Sequence, residues 1–447
     1  MTRPIIAIVG RTNVGKSTLL NRLAGKRLAV VDDVAGITRD RVFASASWQG
    51  QELTLVDTAG WQVEAGSRLE QKVKQQVEIA VAQADVIIFV VDAREGVIAV
   101  DEEIADTLRV GGKPMVMAVN KVDSLKQRNE VADFCSLGMG VPIGISAYHG
   151  RGIDELMDAV LQVLPSTGSV EESEQTRFAV VGRPNVGKST LLNSLLGYQR
   201  AIADEAPGTT RDALDAGLRW DGKDILLIDT AGVKRPGRVD SGVDYYSMLR
   251  ALQAINRCDV ALLLIDAAEF VTAQDMHIAG YIIEAGKGMV LLVNKWDLIP
   301  NVQQHEFQRC LGQRLRFMSY VPALYISATL GHNIRGVLPQ AWHVWQERQK
   351  RVSASAVDMV IKQAMEKQLP PRVGSRQLRV LRACQDKSVS SAFVLHVNDP
   401  HLVSLSYQRY LVNSLRREFG FCGSPLRLVL AKASGKRRRV GEEATRA

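Results

Sequence analysis

The sequence predicts an α/β protein of two consecutive domains with the same fold, followed by a small α+β domain. Three observations predict this organisation. The string GxxxxGKS occurs twice, from Gly10 to Ser17 and from Gly182 to Ser189. A buried-strand pattern precedes each copy, and leucines at helical spacing follow it. The last quarter of the chain instead shows helices and strands in the order αββαβ.

Both glycine-rich loops have the composition of a phosphate-binding turn. Glycine lets the main chain approach a ligand closely, and the N–H groups at a helix N-terminus attract an anion. Lys16 and Lys188 each supply a full positive charge that stabilises the phosphates. Ser17 and Ser189 each offer a hydroxyl oxygen to Mg²⁺.

Four further motifs follow each loop in the same order, which indicates that a whole domain was duplicated. The first copy contains Thr38, DTAG from Asp57, NKVD at Asn120–Asp123 and ISA at Ile145–Ala147; the second contains Thr210, DTAG from Asp229, NKWD at Asn294–Asp297 and ISA at Ile326–Ala328. In both copies the threonine lies 28 residues, and DTAG 47 residues, after the first glycine of the loop.

Each motif has a role in binding GTP with Mg²⁺. The aspartate of DTAG holds the Mg²⁺ shell, and the N–H of its glycine senses the γ-phosphate. The threonine ligates Mg²⁺ only while that phosphate is present. Asp123 and Asp297 accept hydrogen bonds from guanine N1–H and N2–H, a donor pair that adenine lacks, so GTP is favoured over ATP. The N–H groups of Ala147 and Ala328 are expected to meet guanine O6.

The motifs define the candidate site residues. For GTP in the first domain these are Gly10, Arg11, Thr12, Asn13, Val14, Gly15, Lys16, Ser17, Asp57, Thr58, Ala59, Gly60, Trp61, Asn120, Lys121, Val122, Asp123, Ser146 and Ala147. For GTP in the second domain they are Gly182, Arg183, Pro184, Asn185, Val186, Gly187, Lys188, Ser189, Asp229, Thr230, Ala231, Gly232, Val233, Asn294, Lys295, Trp296, Asp297, Ser327 and Ala328. The candidate Mg²⁺ ligands are Ser17, Thr38, Asp57, Ser189, Thr210 and Asp229.

This motif set resembles the Ras-like P-loop GTPases over roughly residues 4–164 and 177–350. The resemblance implies two mostly parallel sheets wrapped by helices, each with its nucleotide at the carboxyl ends of the strands. Ras has a glutamine after DTAG that orients the attacking water, whereas this chain has Trp61 and Val233. Slow hydrolysis by each domain alone is therefore expected, with no residue assigned as general base.

An asparagine follows the variable pair of each loop, at Asn13 and Asn185. In GTPases with a similar loop, that amide oxygen helps to bind K⁺ beside the phosphates. The resemblance therefore implies potassium-stimulated hydrolysis in at least one domain. The alternative, in which each asparagine only braces its loop, stays open.

The positive charge of the chain is confined to its last quarter. From Arg348 onwards there are 20 Lys and Arg against 7 Asp and Glu, a net charge of +13, whereas the preceding residues have a net charge of −5. Such an asymmetry favours a nucleic-acid-binding end. The tail at 433–447 contains four consecutive candidate RNA contacts, Lys436, Arg437, Arg438 and Arg439, and a solvated tail is the alternative.

Cysteine content and hydropathy predict a cytoplasmic protein. The five cysteines form no CxxC pair and are expected to be reduced core residues. The histidines have no metal-ligand spacing, and the longest apolar runs are far too short to span a membrane. The first strand starts so early that no signal peptide is expected. We expect a monomer in solution without membrane contact.

The complete domain order is typical of one bacterial family. Residues 1–164 and 177–351 are the predicted GTPase domains, joined by an acidic flexible linker at 165–176, and residues 352–432 form the third domain. The αββαβ order and the string YQRYLVNSLRREF resemble the C-terminal KH-like domain of the Der (EngA) family. This resemblance implies a GTPase that acts in assembly of the large (50S) ribosomal subunit, binds ribosomal RNA, and uses GTP or GDP to control its domain arrangement.

Two other functions stay open at this point. One is a tandem GTPase in tRNA modification, although the sequence has no catalytic cysteine motif or folate-like domain. The other is a scaffold stabilised by nucleotide with little hydrolysis. The string GFCG at Gly420–Gly423 resembles the RNA-binding loop of KH domains but lies between a helix and a strand, where a plain turn is expected.

Overall fold

The structure is a computed structural model, and the chain forms two compact units. It describes residues 3–25, 43–57, 84–165, 175–200, 215–228, 243–370 and 376–432. One unit contains residues 3–319 and 323–341, and the other contains residues 320–322 and 342–432. The longer segment of the second unit starts at Trp342, whereas the predicted third domain starts at residue 352.

The first domain is built on one six-stranded sheet. Its strands are β1 Ile5–Val9, β2 Phe43–Trp48, β3 Gln51–Asp57, β4 Val86–Asp92, β5 Met115–Asn120 and β6 Ile143–Gly144. Its helices are α1 Lys16–Gly25, α2 Ala99–Gly111, α3 Leu125–Glu130 and α4 Ile153–Val163. The strand order is β2-β3-β1-β4-β5-β6, in which only β2 is antiparallel to its neighbour.

The second domain repeats this sheet with the same connections. Its strands are β7 Thr176–Val181, β8 Ala216–Trp220, β9 Lys223–Ile228, β10 Val260–Asp266, β11 Gly288–Asn294 and β12 Ala323–Tyr325. Its helices are α5 Lys188–Arg200, α6 Val243–Arg257, α7 Ala273–Glu284, α8 Asn301–Arg314 and α9 Val337–Gln349. Strand β7 already begins at Thr176, which is buried, so the predicted linker extends one residue too far.

Burial on both faces explains why the central strands are apolar along their whole length. Every residue of β4 and of β10 is buried. In β1, Ile6 and Ile8 belong to the core on one face of the sheet, and Ala7 and Val9 to the core on the other. Parallel strands covered on both sides require this composition. Their carboxyl ends meet at one edge, where the motifs lie.

The third domain has the predicted order αββαβ. Its elements are α10 Ala354–Lys367, β13 Val380–Gln385, β14 Ala392–Val397, α11 Leu405–Phe419 and β15 Arg427–Lys432. Strand β14 lies between an antiparallel β13 and a parallel β15. Both helices begin at a serine, Ser353 or Ser404, whose side chain accepts a backbone N–H of the first turn.

The string GFCG forms a structural turn after α11. Phe421 adopts a φ of 62° and is completely buried against Phe393. The N–H groups of Phe421 and Cys422 donate to Glu347 Oε2 at 2.8 and 3.2 Å. These donors are therefore committed to a protein carboxylate, in agreement with the interpretation as a turn.

The cysteines differ from the expectation that they fill the core. All five are free thiols, but only Cys258 is buried, while Cys135 is exposed and the other three are half-buried. None of the helices in the described ranges combines the length and the apolar character needed to cross a bilayer.

Candidate nucleotide-binding sites

Both glycine-rich loops have the same strained backbone. Residues Gly10, Asn13 and Gly15 have φ values of 153°, 65° and 98°, and the matching residues of the second loop have 154°, 63° and 100°. A Cβ at Gly10 would overlap the carbonyl oxygen of Val90 on the neighbouring strand. The left-handed backbone and this close approach both require glycine at the first position.

The loop lysines are held by the loops themselves. Lys16 Nζ donates to the carbonyls of Gly10 and Arg11 at 2.7 and 2.6 Å. Lys188 Nζ makes the same two bonds to Gly182 and Arg183, at 2.8 and 2.5 Å. Burial lowers the pKa of Lys16 to about 8, although Asp57 opposes this shift. The charge needed for phosphate therefore lies inside each loop before any ligand binds.

Two predicted Mg²⁺ ligands of the first domain are brought together. The Ser17 hydroxyl donates to Asp57 Oδ2 at 2.5 Å, and Asp57 is fully buried at the end of β3. A hydroxyl and a carboxylate are the hard oxygen donors that Mg²⁺ prefers, and Mg²⁺ in nucleotide sites uses one or two carboxylates, with phosphates and water completing its shell. This pair therefore fits the ion. Within the described ranges, no cluster of three or more His, Cys, Asp or Glu forms a separate metal cage.

A buried asparagine joins the phosphate loop to the base-reading loop in each domain. Asn120 Nδ2 donates to the carbonyl of Val14 at 2.8 Å, and its Oδ1 accepts the N–H of Ala147 at 2.9 Å. Asn294 makes the matching bonds to Val186 and Ala328 with the same lengths. The alanine N–H groups assigned to guanine O6 thus donate to these asparagines in the structure.

Close packing of this asparagine explains the second glycine of the loop. A Cβ at Gly15 would overlap the amide nitrogen of Asn120, and a Cβ at Gly187 would overlap that of Asn294. The second glycine of GxxxxGKS and the asparagine of NKxD are therefore in direct contact. A larger residue at Gly15 or Gly187 would displace this amide from its bond to the loop carbonyl.

The NKxD lysines are fixed by a carboxylate on the neighbouring strand. Lys121 and Lys295 have φ values of 66° and 59°. Their Nζ atoms bond Asp92 and Asp266, the last residues of β4 and β10, each at 2.5 Å. These lysines hold the base-reading loop against the sheet.

The base-reading aspartates have different surroundings. Asp123 Oδ1 accepts the Ser146 hydroxyl at 2.7 Å, and its Oδ2 accepts Arg94 Nη2 at 2.8 Å. The Ser146 hydrogen bond, followed by Arg94, lowers the pKa of Asp123. Asp297 is exposed and forms no ion pair with any residue in the described part of the chain.

Sequence reasoning missed the carboxylates that anchor the loop arginines. Arg11 pairs with Asp101 at 3.4 Å and with Glu95 at 3.0 Å. Arg183 pairs with Asp275 at 2.9 Å and with Glu269 at 2.6 Å. Asp101 and Asp275 are buried in the first turns of α2 and α7. Because each arginine carbonyl also accepts a bond from the loop lysine, the buried aspartate positions that lysine through the arginine.

A repeated spacing in the sequence could have revealed these anchors. Glu95 and Asp101 lie three and nine residues after Asp92. The same offsets from Asp266 lead to Glu269 and Asp275. Acidic residues at matched positions in a duplicated domain indicate a shared partner, which is the arginine of the loop.

The Asn13 and Asn185 side chains are exposed at the surface of their loops. Within the described ranges, neither amide makes a hydrogen bond that would brace the loop. Several predicted site residues lie outside these ranges: Thr38, Thr58, Ala59, Gly60, Trp61, Thr210, Asp229, Thr230, Ala231, Gly232, Val233, Lys436, Arg437, Arg438 and Arg439.

Family models match all three domains. A model described as "50S ribosome-binding GTPase" matches residues 5–121 and 177–295. A second model, described as "KH-domain-like of EngA bacterial GTPase enzymes, C-terminal", matches residues 351–430. These matches confirm the two predicted GTPase domains and the KH-like domain.

Two relatives match the chain over nearly its whole length. The chain is 45% identical over 439 residues to "GTPase Der" of Caldanaerobacter subterraneus subsp. tengcongensis, covering 98% of this chain and 100% of that protein. It is 44% identical over 453 residues to "GTPase Der" of Chloroflexus aggregans, with the same coverage.

Solved structures show a more distant likeness. A crystal structure of Era in complex with MgGDPNP and part of 16S ribosomal RNA is 21% identical, with a TM-score of 0.30, and covers 58% of this chain and 93% of that one. A likeness this partial adds nothing to the assignment, which rests on the full-length relatives and the family models. The chain belongs to the GTPase Der family.

Proposed function

We propose that this protein binds and hydrolyses GTP in the biogenesis of the large ribosomal subunit, and that its nucleotide state controls domain arrangement and binding to ribosomal RNA. The carrying observation is that both domains build the same pocket with the same hydrogen bonds. The family supports the ribosomal role. We further propose that the protein acts as a monomer in the cytoplasm.

The phosphates bind at the carboxyl edge of each sheet. The N–H groups of the loop and of the helix N-terminus face the anion, and Lys16 or Lys188 turns from the loop carbonyls to the β- and γ-phosphates. Ser17, Thr38 and Asp57 would hold Mg²⁺ in the first domain, and Ser189, Thr210 and Asp229 in the second. When bound, Mg²⁺ neutralises charge that develops on the phosphate oxygens.

The guanine base lies against the aspartate of each NKxD motif. Asp123 and Asp297 accept its N1–H and N2–H, and the N–H groups of Ala147 and Ala328 are shared between guanine O6 and their asparagines. Adenine would leave a carboxylate facing an acceptor, so ATP is excluded by an unpaired charge.

Hydrolysis depends on positioning and electrostatics, because Trp61 and Val233 offer no amide to orient water. Asn13 and Asn185 are exposed at the loop, where their amide oxygens would be available to a K⁺ ion beside the phosphates. Such a cation would stabilise the charge that an arginine finger stabilises in other GTPases.

RNA binding is assigned to the basic third domain and tail. The net charge of +13 from Arg348 onwards suits a polyanion. The GFCG turn is already bonded to Glu347, so contact by shape and by the phosphate backbone is favoured over capture of a single strand.

The base-reading role of Asp297 is tested by Asp297→Asn. The amide presents a donor where guanine also has a donor, so GTP affinity of the second domain should fall roughly tenfold to a hundredfold, and xanthosine triphosphate should become the preferred ligand. Fluorescent nucleotide titration in a Lys16→Ala background reports the second pocket alone. An unchanged base preference would show that Asp297 does not read guanine.

Potassium dependence is tested by turnover in KCl and in NaCl at equal ionic strength. We expect roughly tenfold faster hydrolysis in KCl, because the ion stabilises transition-state charge. Asn13→Ala and Asn185→Ala should each remove the stimulation from one domain and leave nucleotide binding largely intact. Equal rates in the two salts would eliminate the K⁺ site.

The buried Lys16 makes nucleotide binding to the first domain pH-dependent. Its pKa of about 8 rises when phosphate binds, since the anion stabilises the charged form. Affinity should therefore fall as the pH rises through 8 to 9, and binding should take up a proton. Calorimetry of the Lys188→Ala protein in two buffers of different ionisation enthalpy measures this uptake.

The matched control is Lys16→Arg, whose guanidinium stays charged across this range. The variant should lose most of the pH dependence, whereas titration of the nucleotide itself affects both proteins equally. Identical pH profiles for lysine and arginine would refute the linkage to Lys16.

The ribosomal role is tested by cosedimentation with purified subunits in GTP, GDP and a non-hydrolysable GTP analogue. We expect selective pelleting with the large subunit in the triphosphate state. The double variant Lys16→Ala, Lys188→Ala should not respond to nucleotide. Equal pelleting with both subunits, or no effect of nucleotide on the unmodified protein, would contradict the proposal.

A further inference from the structure

Arg94 occupies the base-reading carboxylate of the first domain. It lies two residues beyond the end of β4, whose last residue Asp92 pairs with Asn120 at the end of β5. Its Nη2 contacts Asp123 Oδ2 at 2.8 Å, and the ring of His149 approaches Oδ1 at 3.9 Å. Two basic side chains thus face the group that guanine needs.

Matched hydrogen bonds identify the corresponding residues of the second domain. The N–H of Arg94 donates to Asp92 Oδ1 at 3.0 Å, and the N–H of Ala268 donates to Asp266 Oδ1 at 2.9 Å. Arg94 and Ala268 therefore occupy equivalent backbone positions in the two domains. The side chain at this position is a guanidinium in the first domain and a methyl group in the second.

The same comparison applies to the base-reading loop. The N–H of His149 donates to Ser146 Oγ at 3.3 Å, and the N–H of Leu330 donates to Ser327 Oγ at 3.3 Å. Leu330 thus stands where the first domain has His149, and it has no group that competes for an aspartate. The two pockets therefore share the same backbone hydrogen bonds, but the first has basic side chains, Arg94 and His149, where the second has Ala268 and Leu330.

Guanine requires both oxygens of the aspartate, one for N1–H and one for N2–H. In the first domain the guanidinium of Arg94 already donates to Oδ2, so guanine has to share that oxygen with Arg94 or displace it. In the second domain Ala268 and Leu330 impose no such exchange on Asp297. The free energy of guanine binding should therefore differ between the two pockets.

We propose that Arg94 is an internal competitor for guanine that weakens nucleotide binding to the first domain relative to the second. The inference rests on the proposed function, because it assumes that both pockets bind guanine nucleotides. It also predicts that the two domains differ in their specificity for guanine over inosine. Inosine lacks the 2-amino group, so an inosine nucleotide leaves the Arg94 pair intact, and the first domain should discriminate less between guanine and inosine.

The test measures fluorescent GDP binding to the Lys188→Ala protein with and without Arg94→Ala. Removing Arg94 should tighten binding about two- to fivefold, the range that a partly exposed ion pair contributes. The gain should shrink as salt is raised, because screening weakens the pair in the parent protein. The ratio of GDP to inosine diphosphate affinity should rise by the same factor.

Two further variants separate this role from a general charge effect. Arg109→Ala removes an equal charge from the ion pair with Asp106 on α2 and should leave binding unchanged. Ala268→Arg in a Lys16→Ala background should weaken GDP binding by the second domain and reduce its discrimination against inosine.

The outcomes distinguish this inference from the proposed function. Weaker GDP binding by Arg94→Ala would mean that the guanidinium helps to bind the base. Unchanged affinity and unchanged base discrimination would mean that the Arg94–Asp123 ion pair has no effect on binding. Either result would overturn the proposal. Absence of guanine-nucleotide binding by the Lys188→Ala protein, with its fold intact, would instead refute the assignment of the first pocket.

Discussion

The buried asparagine of each NKxD motif is the contact on which the pocket depends. Asn120 satisfies one carbonyl of the phosphate loop and one N–H of the base-reading loop, and Asn294 repeats this in the second domain. The amide supplies a donor and an acceptor on separate atoms, whereas a carboxylate would face the Val14 carbonyl and an apolar residue would leave two buried groups unpaired. An unpaired buried group costs about 1–3 kcal/mol. The distance between the phosphate and base regions is therefore set before nucleotide binds.

The buried aspartates impose a second constraint on the phosphate region. Asp101 and Asp275 fix the arginine of each loop, and the arginine carbonyl in turn holds the lysine. Burial raises the pKa of Asp101, and Arg11 opposes that rise. Removing such an aspartate would leave a poorly solvated guanidinium paired with the exposed carboxylate of Glu95 or Glu269 and without its buried one, which is costly. The lysine is thus positioned through the arginine by a carboxylate on a neighbouring helix.

Motif spacing and strand composition were sufficient to predict both sheets and the third domain. Strands β4 and β10 are apolar throughout because both faces are covered, and that composition is visible in the sequence. Within one domain the role of Asp101 is hidden, because an acidic residue in the first turn of a helix equally suits a solvated surface; only the matched position of Asp275 in the second domain indicates it. The sequence places Thr176 in the linker, because a polar residue beside glutamates gives no sign of burial. The contact between Arg94 and Asp123 joins the loops after β4 and β5, which are far apart in the sequence and adjacent only because the two strands pair in the sheet.

The two pockets of the chain are alike except at their rims, and this difference affects the order in which they bind nucleotide. Two identical pockets would load together over one range of GTP concentration. A guanidinium at Arg94 and a methyl group at Ala268 offset the two loading curves by the roughly two- to fivefold effect of the Arg94 ion pair, while the skeleton of asparagine, lysine and serine stays the same. At any subsaturating concentration the second pocket is therefore the more occupied of the two. A molecule with one bound nucleotide then carries it more often in the second domain, an asymmetry that two identical pockets would not provide.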